Sequence, residues 1–379
     1  MTIYNIVEEP LKKIILYNNK LGVRSFVIIH DTIVGINGGG IRLNKDVTEE
    51  EIGILAHAMN LKTTFYEIPV GGAKCGIRLD AANRSKKEIL KWLGEALASE
   101  IRTLEYIPAT DMNTDENDIK MVNGDGTVNS PLHRRAGNEV NLTCYGIMSA
   151  IESYTDFYGS EDLKESVLID GFGKMGESIA MLLHNNGYRV VGISTVHGSI
   201  YDENGIDIPS LSRLKEQYND SFIMHTNYQI HPPSDLYAMK GKLIIPGTGV
   251  HMVNAENVKT IRAGVAIPVA NVPFTYDAVK IYHLTGSTYI PDFVVNAGGL
   301  LYEVLARTAI DKGKWKTIIT DMIYSRTYDL LKRSRTGNKL PIEIAINDAI
   351  KNRKRLKSLF ERDKTIEHFI AYISDLFSQ

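Results

Sequence analysis

Three charged residues stand in settings that suggest chemistry: Lys62, Lys74 and Asp111. Residues 67–77 read EIPVGGAKCGI, and glycines just ahead of a lysine let backbone approach a ligand and hold the amine at the edge of a cleft. Lys62 lies twelve residues earlier, near the end of a helical stretch, and Asp111 follows a predicted strand in YIPATDMNT. Each has an ordinary alternative. Most lysines are surface charges, GGAK can be a turn, and the Asp-x-x-Thr beginning at Asp111 suits a helix start capped by Asp111 or Thr114. Taken together, the residue types match the needs of amino-acid oxidation: a cation for the carboxylate, a base near Cα and a group that moves protons. A lysine is a base near neutral pH only if burial or a second cation lowers its pKa. Two lysines converging on one pocket would do this, with Asp111 balancing the charge.

A second signal is Gly171-Phe172-Gly173-Lys174-Met175-Gly176, a G-x-G-x-x-G placed directly after the apolar run Ser166–Asp170 and opening a helix. In that context the first glycine permits a tight turn, the second lets backbone approach a pyrophosphate, and the third lets helix pack on strand. An ordinary strand-to-helix glycine turn is the alternative. The acid expected about 20 residues on, which would hold the ribose hydroxyls of NAD, is replaced by Thr195 in Ser194-Thr195-Val196-His197, with Asp202 and Glu203 several residues beyond. Small polar groups and a histidine tolerate a 2′-phosphate, and another residue can cap the ribose of NAD, so the cofactor is NAD or NADP.

The elements that must position these residues are legible in outline. A chain of 379 residues with 44% hydrophobic and 23% charged residues suggests two domains and a soluble surface. Val23 to His30 reads as a strand, Asp31 to Gly35 as a second extended piece, and Gly38-Gly39-Gly40 as irregular backbone. Thr48-Glu49-Glu50-Glu51 reads as a capping box opening a helix with Ile52, Leu55, Ala56 and Met59 on one face. A second helix is predicted from Ser85, its N-cap, to Ile101. Beyond the glycine loop, a helix runs to Asn186-Gly187, and strands are predicted at Arg189–Ser194, Ser221–Met224, Lys242–Ile245, Ala263–Pro268 and Ser287–Ile290. Alternating strands and helices imply a parallel sheet with right-handed crossovers. After Asn296 the pattern is helical.

Composition excludes other classes. The formal net charge of −2 points to neither nucleic acid nor an anionic membrane. No apolar run approaches the roughly 18 residues of a membrane span, and the N-terminus lacks the features of a secretory signal. Cys75 and Cys144 are too few for a disulfide framework, so a reducing cytoplasm is expected. No histidine or cysteine spacing, including that of His30, His133 and His197, suits a metal, and no catalytic metal is expected.

The ordered blocks HDTIVGINGGGIRL (30–43), AMNLK (58–62), PVGGAK (69–74), YIPATDMNT (106–114), GNEVNLTCYG (137–146), GFGKMG (171–176) and IPDFVVNAGG (290–299) resemble the glutamate/leucine/phenylalanine/valine dehydrogenase family. The likeness spans nearly the whole chain, closest in layout to the leucine and phenylalanine enzymes. It implies an α/β fold of two domains: residues 1–145 as the catalytic domain, completed by helices from about 341 to 379, and 146–340 as a Rossmann-type doubly wound dinucleotide-binding domain. By the same resemblance, Lys62 binds the substrate carboxylate, aided by backbone at Gly39 and Gly40. Lys74 is the base that activates water, and Asp111 passes protons to and from the amino group. Thr143 and Asn271 contact the cofactor with the 171–176 loop and Thr195, while Asn296 orients substrate and nicotinamide. The implied reaction is reversible NAD(P)-dependent deamination of an L-amino acid to a 2-oxo acid and ammonia, by a homo-oligomer whose domains close over the cleft.

Two departures bear on substrate. Gly38 stands where the family discriminates side chains by a lysine or leucine, and Glu303, with Leu300 on one helical face, stands where relatives place small or apolar residues. Either these select a larger or amine-bearing side chain, or Glu303 pairs with Arg307 at i+4 and points away. Other readings remain: a reductive aminase or biosynthetic oxidoreductase on an unusual 2-oxo acid or imine, or a non-catalytic dinucleotide-binding homologue. The joint presence of Lys62, Lys74, Asp111 and Asn296 argues against the last.

Overall fold

The computed structural model describes residues 9–80, 82–124 and 139–378, with the side chains of 139–141 left aside. His133 and the start of the GNEVNLTCYG block therefore lie outside the described residues.

The first domain is a five-stranded sheet with helices on both faces. Its elements are β1 (Lys12–Asn18), β2 (Val23–Ile29), β3 (Asn37–Leu43), α1 (Glu49–Phe65), β4 (Gly71–Ile77), α2 (Lys86–Ala96), α3 (Ala98–Arg102), β5 (Ile107–Thr110) and α4 (Glu116–Asn123). The sheet order is β1-β2-β4-β3-β5, with β2 antiparallel to β1 and β4, and β3 parallel to β4 and β5. Side-chain alternation divides the faces. Val27, Ile29, Ala73, Cys75 and Ile77 join the core under α2, whereas Phe26 and Ile28 pack on Ile52, Leu55 and Ala56 of α1. Lys74, opposite Ile28 in the ladder, thus shares the α1 side with Lys62.

Several expectations change here. Gly38, Gly39 and Gly40 are not irregular; they lie within β3. A Cβ on Gly39 would fall 1.6 Å from the carbonyl oxygen of Ala73, so glycine is demanded by strand approach rather than by a turn. GGAK is likewise β-strand, and its glycines seat a helix: a Cβ on Gly72 would meet the backbone nitrogen of Asn60 at 2.2 Å. Residues 31–35 bend rather than extend, because Asp31 accepts the Thr32 N–H and Thr32 accepts that of Gly35. The 86–102 segment breaks at Leu97, and Ser85 makes no side-chain cap. The box at Thr48 is half formed: Thr48 accepts the Glu51 N–H, but the Glu51 carboxylate turns to Arg42. The strand β1, which pairs with β2, was not foreseen.

The second domain adds α5 (Glu139–Tyr158), β6 (Val167–Asp170), α6 (Lys174–Asn185), β7 (Val190–Thr195), β8 (Gly198–Tyr201), α7 (Ile208–Tyr218), β9 (Ile230–His231), β10 (Leu243–Pro246), β11 (Val265–Ala266), α8 (Tyr276–Leu284), β12 (Thr288–Tyr289), α9 (Asp292–Val295), α10 (Gly298–Leu305) and α11 (Trp315–Gly337). Its sheet order is β12-β11-β10-β6-β7-β8-β9. The run from β12 to β7 is parallel, as the βα alternation demands, but β8 and β9 fold back antiparallel. Ser221–Met224, expected as strand, lie instead in a 3-10 helix over Asn219–His225 that buries Phe222 and Ile223. An apolar run of that length does not distinguish the two.

Two last helices, α12 (Pro341–Leu359) and α13 (Ile366–Leu376), return to the first domain. Lys357 and Arg353 pair with Asp31, and Arg355 pairs with Glu67. Tyr66, at the end of α1, donates from its hydroxyl to the Val294 carbonyl at 2.7 Å, fixing α1 against α9. Among the described residues no helix is long and apolar enough to cross a membrane.

Candidate active site

Four elements bring the charged residues together. Lys62 leaves the last turn of α1, Lys74 the middle of β4, Arg42 the end of β3, and Asp111 the residue after β5. The Lys74 ammonium lies 3.1 Å from Asp111 Oδ2. Arg42 Nε donates to the same oxygen at 2.9 Å, and its Nη1 donates to Glu51 at 2.6 Å. Neither Asp111 nor Thr114 caps α4; Asp115 does, in a reciprocal box with Asp118. Thr114 instead accepts the Asp111 N–H at 2.9 Å and donates to the Ile41 carbonyl, tying the Asp111 turn to β3.

Burial controls the electrostatics. Lys74 is 3% exposed and Lys62 6%. Burial lowers the Lys62 pKa to about 8, with Lys74 lowering it further and Asp292 and Asp111 opposing. Burial also lowers Lys74; Arg42 adds to the effect and Asp111 resists it. The second cation beside Lys74 is therefore Arg42, which sequence reasoning did not single out. Its position in a glycine-rich strand, two residues from Gly40, was the available signal. For Asp111, burial alone would raise the carboxyl, but Lys74 and Arg42 outweigh it and hold it well below the usual carboxylate range.

Across the cleft, Lys62 Nζ donates to Asn271 Oδ1 at 3.2 Å. Asn296 Nδ2 donates to the same Oδ1 and to the carbonyls of Val269 and Ala270, at 3.1–3.2 Å. Asp292, fully buried, accepts the Val272 N–H at 2.9 Å and so fixes the turn that follows Asn271. A groove of about 610 Å³ runs from Asp111 and Lys62 past Asn271, Asn296 and Thr143 to Gly173–Gly176 and Thr248. Thr143 projects into it from α5.

The glycine loop suits a dinucleotide at each position. Gly171 takes φ +95°, the turn that favours glycine. Nothing lies within 4 Å of a Cβ built on Gly173, leaving the crest open, and a Cβ on Gly176 would fall 1.9 Å from the Gly171 carbonyl. The α6 N-terminus has no side-chain cap, so its N–H groups are available to phosphate, and Lys174 is exposed beside them. Phe172 points away into the core, 2% exposed and packed on Phe222, and Met175 is half-buried. Asp170, unforeseen, anchors the loop. Its carboxylate accepts from Ser194, Tyr237 and Thr248 at 2.6–2.8 Å, while Ser194 accepts the Gly171 N–H. Thr195 ends β7, accepting from the His197 N–H and donating to the Gly198 carbonyl, and begins the hairpin into β8.

A smaller cavity of about 220 Å³ opens from the same lysines. Gly38, Gly39, Gly40, Val70, Ile107, Leu300, Glu303, Val304, Arg307 and Phe369 line it. Glu303 neither points away nor stands alone: it lines the cavity and pairs with Arg307 at 2.9 Å. Phe369 comes from α13, beyond the reach of sequence reasoning. Cys75 and Cys144 are buried and unbridged, each thiol pushed up to about 12 by burial, as structural cysteines are.

Fold and cleft together define a two-domain α/β amino-acid dehydrogenase. A family model described as Glutamate/Leucine/Phenylalanine/Valine dehydrogenase matches residues 137–315. A second, described as Glu/Leu/Phe/Val dehydrogenase, dimerisation domain, matches residues 16–126. The catabolic NAD-specific glutamate dehydrogenase RocG of Bacillus subtilis is 29% identical over 289 residues, 72% of this chain and 67% of its own length. The NAD-specific glutamate dehydrogenase of Staphylococcus aureus (strain COL) is 27% identical over 325 residues, 78% of this chain and 77% of its own. The hetero-hexameric glutamate dehydrogenase of Thermus thermophilus, solved in a Leu-bound form, superposes with a TM-score of 0.79 at 19% identity, over 93% of this chain and 89% of that one. The chain belongs to the glutamate/leucine/phenylalanine/valine dehydrogenase family, as its sequence motifs implied.

Proposed function

We propose that the chain catalyses reversible oxidative deamination of an L-amino acid to a 2-oxo acid and ammonia, with NAD or NADP as hydride acceptor. The observation that carries this reading is that Lys62 and Asp111 line a groove that continues to the glycine loop, with Lys74 paired to Asp111 from the adjoining side-chain cavity. A nicotinamide cofactor held along that groove would supply the acceptor for the hydride leaving the substrate Cα. Lys62 Nζ holds the substrate carboxylate, with Gly39 and Gly40 forming the adjacent wall. Lys74 Nζ, made less basic by burial, takes a proton from water as it adds to Cα. Asp111 Oδ1 faces the amino group and guides its protons. Asn271 and Asn296 fix the geometry of the groove between substrate and cofactor, Thr143 orients the nicotinamide end, and Gly171–Gly176 hold the pyrophosphate. Thr195 presents no charge to repel a 2′-phosphate.

The side-chain cavity supports a bulky, largely apolar group. Gly38 leaves room, Leu300, Val304, Val70, Ile107 and Phe369 form apolar walls, and the pairing of Glu303 with Arg307 favours an apolar over an amine-bearing side chain. The dimerisation-domain likeness of residues 16–126 supports a homo-oligomer, and free cysteines support a cytoplasmic setting. A spectrophotometric screen of L-amino acids with NAD and NADP separately tests the reading. Turnover with bulky apolar substrates, lost in Lys74→Ala with cofactor binding retained, supports it; turnover unaltered in Lys74→Ala refutes it.

A further inference from the structure

We propose that Arg42, braced by Glu51, is the positioning residue of the acid–base pair, pinning Asp111 by one carboxylate oxygen and keeping a permanent positive charge beside Lys74. The proposal rests on the reading of Lys74 as the base. Arg42 is 5% exposed, so its charge is screened little by water. Its Nε and the Lys74 ammonium converge on the same atom, Asp111 Oδ2, at 2.9 and 3.1 Å. Among the described residues nothing hydrogen-bonds Oδ1, and Asp111 lines both the groove and the side-chain cavity. One oxygen is thus tethered and the other is left to substrate.

The bracing comes from a local sacrifice. Glu51 stands where it would complete the α1 capping box, yet its carboxylate accepts from Arg42 Nη1 at 2.6 Å instead. Arg42 is therefore gripped from both ends of its planar guanidinium, a geometry the lysine ammonium does not reproduce. The charges facing Lys74 are Arg42 from β3, Asp111 after β5, and Glu51 and Lys62 from α1; Asp292, from α9, faces Lys62. Arginine keeps its proton throughout the working pH range. It therefore holds Asp111 ionised and makes the Lys74 proton easier to lose, whatever the protonation of its neighbours.

The test is the pH profile of kcat/KM for oxidative deamination of the best L-amino acid from the screen above, for wild type, Arg42→Gln, Arg42→Lys and Glu51→Gln. The substrate ammonium titrates identically in all four, so any displacement belongs to the protein. Removing the Arg42 charge raises the Lys74 pKa, and the acidic limb of Arg42→Gln moves up by on the order of one pH unit. Arg42→Lys keeps the limb near its wild-type position while kcat falls, because charge is retained and the fork is lost. Glu51→Gln removes a carboxylate that raises Lys74, so its limb moves slightly in the opposite direction. A merely structural role lowers thermal stability and kcat without moving the limb. A limb in Arg42→Gln superimposed on wild type, or displaced in the same direction as that of Glu51→Gln, overturns the proposal. If Arg42→Gln does not fold, a limb in Glu51→Gln that stays fixed or moves up overturns it equally. Retained turnover in Lys74→Ala overturns the base assignment as well; an inactive Lys74→Ala beside an immobile Arg42→Gln limb overturns this proposal alone.

Discussion

Gly38 and Gly40 are two residues apart on one strand, and the structure separates their purposes sharply. A methyl group on Gly40 would stand 2.6 Å from the Thr110 carbonyl oxygen and 2.7 Å from Asp111 Cβ. Restoring van der Waals separation requires Asp111 to retreat by roughly 0.8 Å, and overpacking of this kind costs about 1–3 kcal/mol of stability. A displacement of about 1 Å at a catalytic group costs on the order of 100-fold in rate. Gly40→Ala is therefore expected to fold with a lowered Tm and to lose roughly 100-fold in kcat. On Gly38 the same methyl meets Val70 at 3.7 Å and the Ile107 carbonyl at 3.9 Å, ordinary contacts. Gly38→Ala should keep Tm and kcat near wild type while raising KM for the bulkiest substrates. Steady-state kinetics across a size series of L-amino acids, with thermal unfolding of both variants, makes the comparison. Wild-type kcat in Gly40→Ala, or equal loss in the two variants, refutes the argument that Asp111 is placed by strand approach.

Other outcomes follow from the site. Lys62 must be charged to hold a carboxylate and its pKa is lowered to about 8, so charge is present below that pH and lost above it. KM for the amino acid should rise as pH passes through about 8, with KM for the cofactor flat; a pH-independent amino-acid KM would sink the role of Lys62. Glu303→Gln removes the carboxylate that faces Arg307 in the side-chain cavity and should raise kcat/KM for glutamate relative to leucine about tenfold. An unchanged ratio would place the pair outside substrate contact. Asp170→Ala removes three hydrogen bonds beneath the glycine loop and should raise the cofactor Kd by roughly tenfold. Unchanged cofactor affinity, measured by fluorescence titration, would show that the loop holds its shape without them.

What was legible in the sequence depended on how local its cause was. The strand–glycine–helix at 166–185 was legible because each glycine answers a demand within a few residues: a turn at Gly171 and helix contact at Gly176. Lys62, Lys74 and Asp111 were legible as residue types, yet the reason for their neighbours was not. Gly72 reads as a flexible approach to a ligand, but its missing Cβ admits the backbone of α1. Gly39 reads as irregular and is a strand residue, because the demand comes from Ala73 on the neighbouring strand. Arg42 drew no reading and Glu51 read as part of a helix capping box; their pairing depends on packing α1 across β3. Phe369 reaches the cavity from a helix more than 300 residues away from Gly38 in the chain. Such contacts leave no local pattern.

On the proposed mechanism, the charges around Lys62 and Lys74 account for one lysine serving both directions. Among the described groups that act on the two lysines, Lys62, Lys74 and Arg42 face Asp111, Glu51 and Asp292, three cations against three anions. A zwitterionic amino acid adds no net charge, so Lys74 keeps the lowered pKa that burial and Arg42 impose and can act as a base. A 2-oxo acid adds a single negative charge, which raises the pKa of both lysines and favours the protonated Lys74 needed to release water in the reverse reaction. Substrate and product thus bias the proton on Lys74 towards the step each requires. The alkaline limb for reductive amination should then lie above the acidic limb for deamination. Profiles of kcat in the two directions that turn at the same pH would show that the ligands leave Lys74 unaltered.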